Sequence, residues 1–322
     1  MKLQRLALAM AGVGMLAATA MSAPASAGGS ADPKPSWSAK AQAMLKQQSM
    51  KKSSAAAAAG CIQWVGWPTA AATAESADVT PHTPPSAVPY EPINFVSTRA
   101  NATWYLAQNA SGSQIYFYGL LLQGTNLYRH TTYVPESSAP VATFKKVGQG
   151  WGSFKSITTS NYSITAPRHA YLYGLNTNGS VYRYAIVGSG FKAMGSFAGF
   201  KGFRAMAVVS ETATYDTLLM TTTAGALYTI RIPVTATAKP VVKLVRSTGF
   251  QAYDSLAVQA CGTRGGSLVV GVNSASGVGV QYAFGHMTGT TTAMTNYGTV
   301  PVSFKGVNSV AFTTHYDQLN GE

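Results

Sequence analysis

Aromatic residues recur in this sequence at a spacing that could build a series of similar binding sites. The pattern is clearest as Gly-Trp-Gly-Ser-Phe at 150–154, and altered copies follow at intervals of about 50 residues. An aromatic ring can stack on the apolar face of a sugar while nearby polar groups bond the sugar hydroxyls. The alternative is that each ring packs between structural repeats and binds no ligand. Both interpretations apply to six side chains, which are our candidate ligand-binding residues: Trp151, Phe200, Phe250, Phe304, Tyr128 and Tyr182.

Groups suited to catalysis are sparse and scattered. Beyond residue 98 no two acids form a close pair of the kind that glycosidases use, and Asp216 and Asp254 lie near repeat joints, where turn and capping roles are usual. The five histidines have no metal-ligand spacing, which predicts surface or turn positions for them. The sequence contains neither a Gly-x-Ser-x-Gly elbow nor a phosphate-binding loop. It therefore predicts a protein that is not an enzyme and needs no metal or cofactor, with an enzyme of unrecognised type as the least favoured alternative.

The aromatic pattern marks the start of a repeat, and four strand-like segments make up each repeat. The first segment is almost entirely apolar, β-branched or small, as expected of a strand that is buried on both faces. The second and third form a hairpin around a Gly-containing turn, and the fourth has the polar alternation of an edge strand. Copies of the first segment occupy 104–107, 157–160, 206–210, 256–259 and 310–313.

Four antiparallel strands in about 50 residues are typical of one blade of a β-propeller. We therefore predict an all-β fold, a β-propeller with five four-stranded blades. The last copy of the first segment leaves no room for its hairpin before Glu322, so N-terminal strands from 61–101 are expected to complete that blade and close the ring. A long β-sandwich or a solenoid is the alternative, although a sandwich needs no regular period.

The N-terminal 60 residues differ in composition from the rest. Residues 1–27 have a basic start, an apolar stretch and a small-residue cleavage site, as a secretory signal does. Residues 28–60 are rich in Lys and Ala and are expected to form a disordered tail. The propeller is assigned to 61–322, with closing strands in 61–101 and repeats in 102–318. No later segment has the ~20 unbroken apolar residues that a membrane-spanning helix needs, which predicts a secreted, soluble protein.

The two cysteines predict a disulfide between Cys61 and Cys261. Export places the chain in an oxidising compartment, and two cysteines allow one intramolecular pairing. Cys261 follows the first strand of the fourth full repeat, beside the blade that the strand after Cys61 should complete.

The net charge of +13 divides into +6 in residues 1–60 and +7 in the remaining chain, from seven Lys and Arg against one acid and then sixteen against nine. One interpretation is a set of solvated basic residues spread over a surface. The other is attraction to an acidic partner, such as an anionic cell-wall polymer or nucleic acid. Basic residues do not cluster within the repeats, so the sequence predicts no nucleic-acid groove.

The segment Val-Gly-Gln-Gly-Trp-Gly-Ser-Phe at 147–154 resembles the repeat of tachylectin-2-like β-propeller lectins. In that family a Gly-Trp-x-x-Phe motif leads into the inner strand of each blade, and a Leu-Tyr or Ile-Tyr strand follows. The second part is similar to 179–184 and 225–228 of this chain, and the resemblance covers about 103–315, with Phe in place of Trp in all but one repeat. It implies five blades and binding of amino sugars, such as N-acetylglucosamine, between blades.

These observations predict a secreted carbohydrate-binding, lectin-like propeller for amino sugars or cell-wall glycans. The expected partner is a glycan or a cell-envelope polymer. The alternative is an extracellular propeller that serves as a protein–protein interaction or structural scaffold and has no affinity for sugars.

Overall fold

The structure, a computed structural model, describes residues 61–108, 114–135, 138–235, 239–262, 265–305, 314–315 and 321–322. These residues form 22 strands in five sheets. Each sheet is one blade of a five-bladed propeller, which confirms the predicted fold class. The predicted signal at 1–27 and the predicted tail at 28–60 lie outside the described residues.

The blades follow one another along the chain. Blade 1 contains β1 (Gln63–Pro68), β2 (Thr73–Thr80), β3 (Ser86–Pro89) and β4 (Ile93–Asn94). Blade 2 contains β5 (Ala100–Asn101), β6 (Trp104–Gln108), β7 (Ile115–Gln123), β8 (Asn126–Val134) and β9 (Val141–Gln149). Blade 3 contains β10 (Phe154–Tyr162), β11 (His169–Asn176), β12 (Val181–Val187) and β13 (Gly190–Phe197). Blade 4 contains β14 (Phe203–Glu211), β15 (Tyr215–Thr222), β16 (Leu227–Pro233) and β17 (Val241–Arg246). Blade 5 contains β18 (Ser255–Cys261), β19 (Gly266–Asn273), β20 (Val278–Phe284) and β21 (Met294–Thr299).

Five hydrophobic clusters hold neighbouring blades together, and each cluster draws mainly on two adjacent sheets. Blade 1 packs on both sides. Its Trp67 ring lies 4.6 Å from that of Phe304, which follows blade 5, and its Trp64 ring lies 6.1 Å from that of Trp104 in blade 2. The N-terminal sheet therefore sits between the last blade and the second one.

The expectation that the two ends of the chain share the closing blade stays a prediction, because residues 306–313 lie outside the described residues. The described strands of blade 1 all come from residues 63–94. The C-terminal strand β22 (Thr314–His315) pairs in parallel with β6 of blade 2. The predicted inner strand at 310–313 lies outside the described residues, whereas the other four predicted inner strands fall within β6, β10, β14 and β18.

The predicted disulfide between Cys61 and Cys261 is confirmed, with Cα atoms 5.7 Å apart. Side-chain amides continue the contact between β1 and β18. The Gln63 amide donates to the carbonyl of Ala257 at 2.8 Å, and the Gln259 amide donates to the carbonyl of Ile62 at 2.7 Å. Since these polar groups are buried, their bonds fix β1 in place against blade 5.

The recurrent aromatic pattern precedes blades 3, 4 and 5 and follows blade 5, and each copy docks on the hairpin turn of the blade before it. The backbone amide of Phe200 donates to the carbonyl of Gly179 at 2.7 Å, and those of Phe250 and Phe304 donate to the equivalent carbonyls of Gly225 and Gly277. All three glycines have positive φ. A Cβ on Gly179 would lie 2.8 Å from the Cα of Lys201, so the turn needs glycine for space as well as for conformation.

Candidate functional site

The four aromatic residues of the repeated pattern are buried between blades. Trp151 is 7% exposed, Phe200 4%, Phe250 2% and Phe304 0%. Each belongs to a different inter-blade cluster, from the joint between blades 2 and 3 around to the joint between blades 5 and 1. Their burial favours the packing interpretation, and a contact with ligand stays a prediction for these four.

The two tyrosines among the candidates are half-buried. Tyr128 packs against the cluster between blades 1 and 2. Tyr182 packs against the cluster between blades 2 and 3, which also contains Trp151, and its hydroxyl accepts a bond from the amide of Asn178 at 3.0 Å. The structure thus brings Trp151 and Tyr182 to one joint and distributes the other candidates over the remaining joints.

A set of tyrosines at that same joint was not among the sequence candidates. Tyr116, Tyr118 and Tyr133 are half-buried, and we call them the tyrosine wall. The Tyr116 ring stacks on the Tyr118 ring at 6.1 Å with 19° between the planes, and on the Tyr133 ring at 5.1 Å with 29°. Burial raises the pKa of Tyr116 and of Tyr118 above the ordinary value for tyrosine, at which the hydroxyl is already protonated at neutral pH.

The tyrosine wall faces blade 3. Side chains alternate along β7, and Phe117 points into the cluster with blade 1 while Leu120 and Leu122 point into the cluster with blade 3. Tyr116 and Tyr118 share the side of the two leucines. Half-buried side chains of blade 3 pack against the same cluster and form the opposite wall: Tyr182, Tyr184, Ile186 and Phe191. We call the part of this joint where these partly exposed side chains lie the blade 2–3 cleft.

Two cations share the face of the tyrosine wall. Arg129 of β8 lies directly opposite Lys145 of β9 in the antiparallel register. Residues opposite each other in adjacent strands point to the same side of the sheet, so Arg129 and Lys145 share a face. The next residue, His130, points to the other face, where its ring contacts Trp104 on the blade 1 side. Arg129 and Lys145 therefore face blade 3. Burial lowers the pKa of Arg129, which nevertheless remains charged.

The residue equivalent to Arg129 is polar in each following blade, but it is buried there. By strand register its equivalents are Arg183 in blade 3, Thr229 in blade 4 and Gln281 in blade 5. These three are 1% exposed or less. The guanidinium of Arg183 lies 5.0 Å from the Tyr171 ring and donates to the carbonyl of Pro233 at 2.6 Å. Among these four positions, Arg129 is the one that solvent reaches.

A buried polar cluster crosses the joint between blades 3 and 4. The carboxylate of Asp216 is the acceptor for the hydroxyl of Ser160 at 2.5 Å and that of Tyr173 at 2.8 Å, and it bonds Nε2 of His169 at 2.8 Å. Asp216 is completely buried, so the turn or capping role expected for it is wrong. The expectation of a surface position for His169 is also wrong, because its side chain is 3% exposed. Ser160 and Asp216 are both completely buried, so no substrate reaches this hydroxyl.

His130 is another histidine whose predicted surface position is wrong. It is completely buried against aromatic rings, with the Trp104 centroid at 4.1 Å and the Phe95 centroid at 5.6 Å. Burial lowers its pKa to about 3. The imidazole is therefore neutral and part of the core, while His82 and His286 are exposed, as predicted.

Two kinds of feature are absent from the described part of the chain. No group of three or more His, Cys, Asp or Glu side chains there is placed to hold a metal ion. Nor does any helix of those residues have the length and hydropathy to cross a membrane.

Comparison with solved structures finds both enzymes and lectins. The catalytic domain of the GH62 α-L-arabinofuranosidase of Coprinopsis cinerea is 14% identical, with a TM-score of 0.42 over 68% of this chain and 74% of that chain. The Aleuria aurantia lectin, a six-bladed propeller that recognises fucose, is 14% identical, with a TM-score of 0.40 over 75% and 78%. A triple mutant of AofleA from Arthrobotrys oligospora is 10% identical, with a TM-score of 0.40 over 80% and 90%. Similarity of this degree assigns neither a ligand nor an activity to this chain.

No protein-family model and no curated protein matches the chain. Membership of the tachylectin-2-like lectins is therefore not confirmed and stays a prediction.

Proposed function

We propose that this protein binds carbohydrate in the blade 2–3 cleft, as a lectin-like propeller. The observation that carries the proposal is the half-buried tyrosine wall, formed by Tyr116, Tyr118 and Tyr133, which solvent reaches. In blade 3 the residue equivalent to Tyr118 is Tyr171, which is 6% exposed and packs inside the joint with blade 4. The tyrosine rings of blade 2 are thus partly exposed to solvent, whereas the equivalent ring of blade 3 is buried.

A pyranose suits this surface because it combines an apolar face with a rim of hydroxyls. The apolar face can lie on the tyrosine rings, which lose little conformational freedom on binding because each has few rotatable bonds. The tyrosine hydroxyls and the guanidinium of Arg129 can then bond the sugar hydroxyls. A site of this kind is shallow, so we expect weak binding at a single site.

The sequence candidates take different places in this proposal. Tyr182 belongs to the opposite wall of the cleft, and Trp151 supports that wall, since its ring lies 5.0 Å from the Tyr184 ring. Phe200, Phe250 and Phe304 lie at other joints, and any ligand contact there stays a prediction.

Export belongs to the same proposal. A disulfide joins Cys61 to Cys261, and such bonds persist in oxidising compartments outside the cytosol. The features of residues 1–27 predict the signal that would direct the chain there. Glycans of a cell envelope would be within reach of an exported protein.

A glycan array probed with the protein tests the function, and a substitution tests the site. Tyr118→Ala should weaken binding of the best array ligand about tenfold or more, because the stacking surface is lost, while the melting temperature stays within a few degrees. Tyr297→Ala is the matched control, since it truncates a half-buried tyrosine of the edge strand β21, remote in sequence from the cleft. An array on which the unmutated protein binds no glycan would overturn the proposal in favour of the scaffold alternative.

A further inference from the structure

Two adjacent cations in the blade 2–3 cleft indicate which class of sugar it takes. Arg129 and Lys145 are cross-strand neighbours on β8 and β9, on the same face as the tyrosine wall. Like charges placed directly opposite each other in a sheet repel and destabilise the pair. Arg129 is half-buried, so solvent screens its charge less than it would on an open surface.

Nothing in the described structure neutralises this pair. Neither side chain has a hydrogen bond or an ion pair, and none of the described residues on the two facing walls is acidic. Other partly buried cations of the protein have oxygen partners, and Arg99, Lys155 and Arg246 donate to backbone carbonyls. Arg231 and Lys243 both bond the carboxylate of Glu322, at 3.1 and 3.3 Å.

We infer that the ligand of the blade 2–3 cleft is an acidic saccharide, whose carboxylate binds between Arg129 and Lys145. This inference rests on the proposed function. A guanidinium binds a carboxylate through two parallel hydrogen bonds, and a neighbouring ammonium adds a third donor to the same anion. The tyrosine wall then holds the sugar ring that carries the carboxylate. A hexuronic acid has both parts, an apolar ring face and a carboxylate at its edge.

The experiment titrates the full-length protein with a galacturonic acid trisaccharide and with the neutral galactose trisaccharide by calorimetry. The acidic trisaccharide should bind about tenfold or more tightly, because the neutral sugar lacks the charge-assisted bonds. Arg129→Gln and Lys145→Gln should each remove most of that preference. Lys192→Gln is the matched control, because Lys192 is exposed and its register with Ala185 places it on the face of blade 3 that points away from the cleft. It should leave both affinities unchanged.

The outcomes separate this inference from the proposed function. Equal binding of the acidic and neutral trisaccharides, abolished by Tyr118→Ala but unaffected by Arg129→Gln, would overturn the inference and leave carbohydrate binding standing. Absence of binding to any glycan would overturn both. A sulfated galactose trisaccharide is the third arm of the titration, and its binding more tightly than the galacturonic acid trisaccharide would overturn the assignment of a carboxylate. Each variant is first checked for an unchanged melting temperature, so that a loss of affinity reports on the site.

Discussion

The hydroxyl of Ser160 in blade 3 donates to the carboxylate of Asp216 in blade 4, with 2.5 Å between the two oxygens. Tyr173 donates to the same carboxylate oxygen, and His169 bonds the other one. Three side chains of one blade therefore converge on a single buried acid of the next. A charge-assisted bond in a place without water is short and strong, so this contact ties the two blades together more firmly than apolar packing alone.

Asp216→Ala should destabilise the protein by about 3–5 kcal/mol, because it leaves three buried polar groups without their acceptor. Urea unfolding of the variant measures the loss. The control is Asp254→Ala, which removes a carboxylate that is 22% exposed and should cost about 1 kcal/mol. A loss for Asp216→Ala no larger than that of the control would show that the cluster contributes little to the joint.

His130 should make the protein sensitive to acid. Its pKa is about 3 in the folded state and about 6.5 in the unfolded chain, so the stabilisation is fully present above pH 6.5 and is lost as the pH falls toward 3. At pH 5 the loss from this residue is about 2 kcal/mol. His130→Phe keeps a ring of similar size but cannot take up a proton. The difference in unfolding free energy between the native protein and this variant should shift by that amount between pH 7 and pH 5, and a constant difference would contradict the prediction.

Trp151→Ala should lower stability by about 3–5 kcal/mol, because a ring that is 7% exposed leaves a cavity when it is removed. Thermal and urea unfolding measure this effect, and calorimetry with the best array ligand measures affinity on the same sample. Tyr118→Ala serves as the comparison, with a smaller loss of about 1 kcal/mol, since its ring is only partly buried. A Trp151→Ala variant that melts like the native protein but has lost its sugar affinity would reverse the packing interpretation of this residue.

Gly179→Ala should destabilise the joint between blades 3 and 4 by about 2–3 kcal/mol, because the residue has a φ of +85° and an added Cβ would meet the backbone of Lys201. Gly124→Ala is the control for the conformational cost, and the difference between the two variants gives the steric cost at Gly179. Gly124 has a φ of +54° with nothing within 4 Å of an added Cβ, so only the conformational cost of about 1 kcal/mol applies. Equal losses for the two variants, measured by urea unfolding, would show that the close approach at Gly179 relaxes without cost.

The repeat was predictable because it is local. The aromatic at the head of a copy contacts the glycine of the hairpin turn just before it in the chain, as Phe200 does with Gly179, so a regular spacing in the sequence translates directly into regular strands. The cluster around Asp216 is different. Its partners lie 43–56 residues away along the chain, and nothing in the sequence indicates that two neighbouring blades bring them together.

The tyrosine wall left a signal that sequence reasoning did not use. Tyr116 and Tyr118 alternate with Ile115 and Phe117, which shows that two faces of the same strand carry different kinds of residue. Blade 3 has a similar pair of tyrosines, Tyr171 and Tyr173, yet both are buried there. Whether such a pair of tyrosines is exposed depends on the side chains of the next blade that pack against it. The sequence of one repeat therefore does not distinguish a binding surface from buried core residues.

The position of blade 1 in the ring determines when its packing can be completed during folding. Trp67 precedes every other blade along the chain, yet its ring packs on Phe304, which follows the last strand of blade 5. One side of blade 1 therefore has no partner until nearly the whole chain is present. Contacts between such distant segments raise the contact order and slow folding, since a long loop must close before the contact forms. A nascent chain of this protein would carry an uncovered apolar face on blade 1 until synthesis reaches Phe304, and would be most prone to aggregation during that interval.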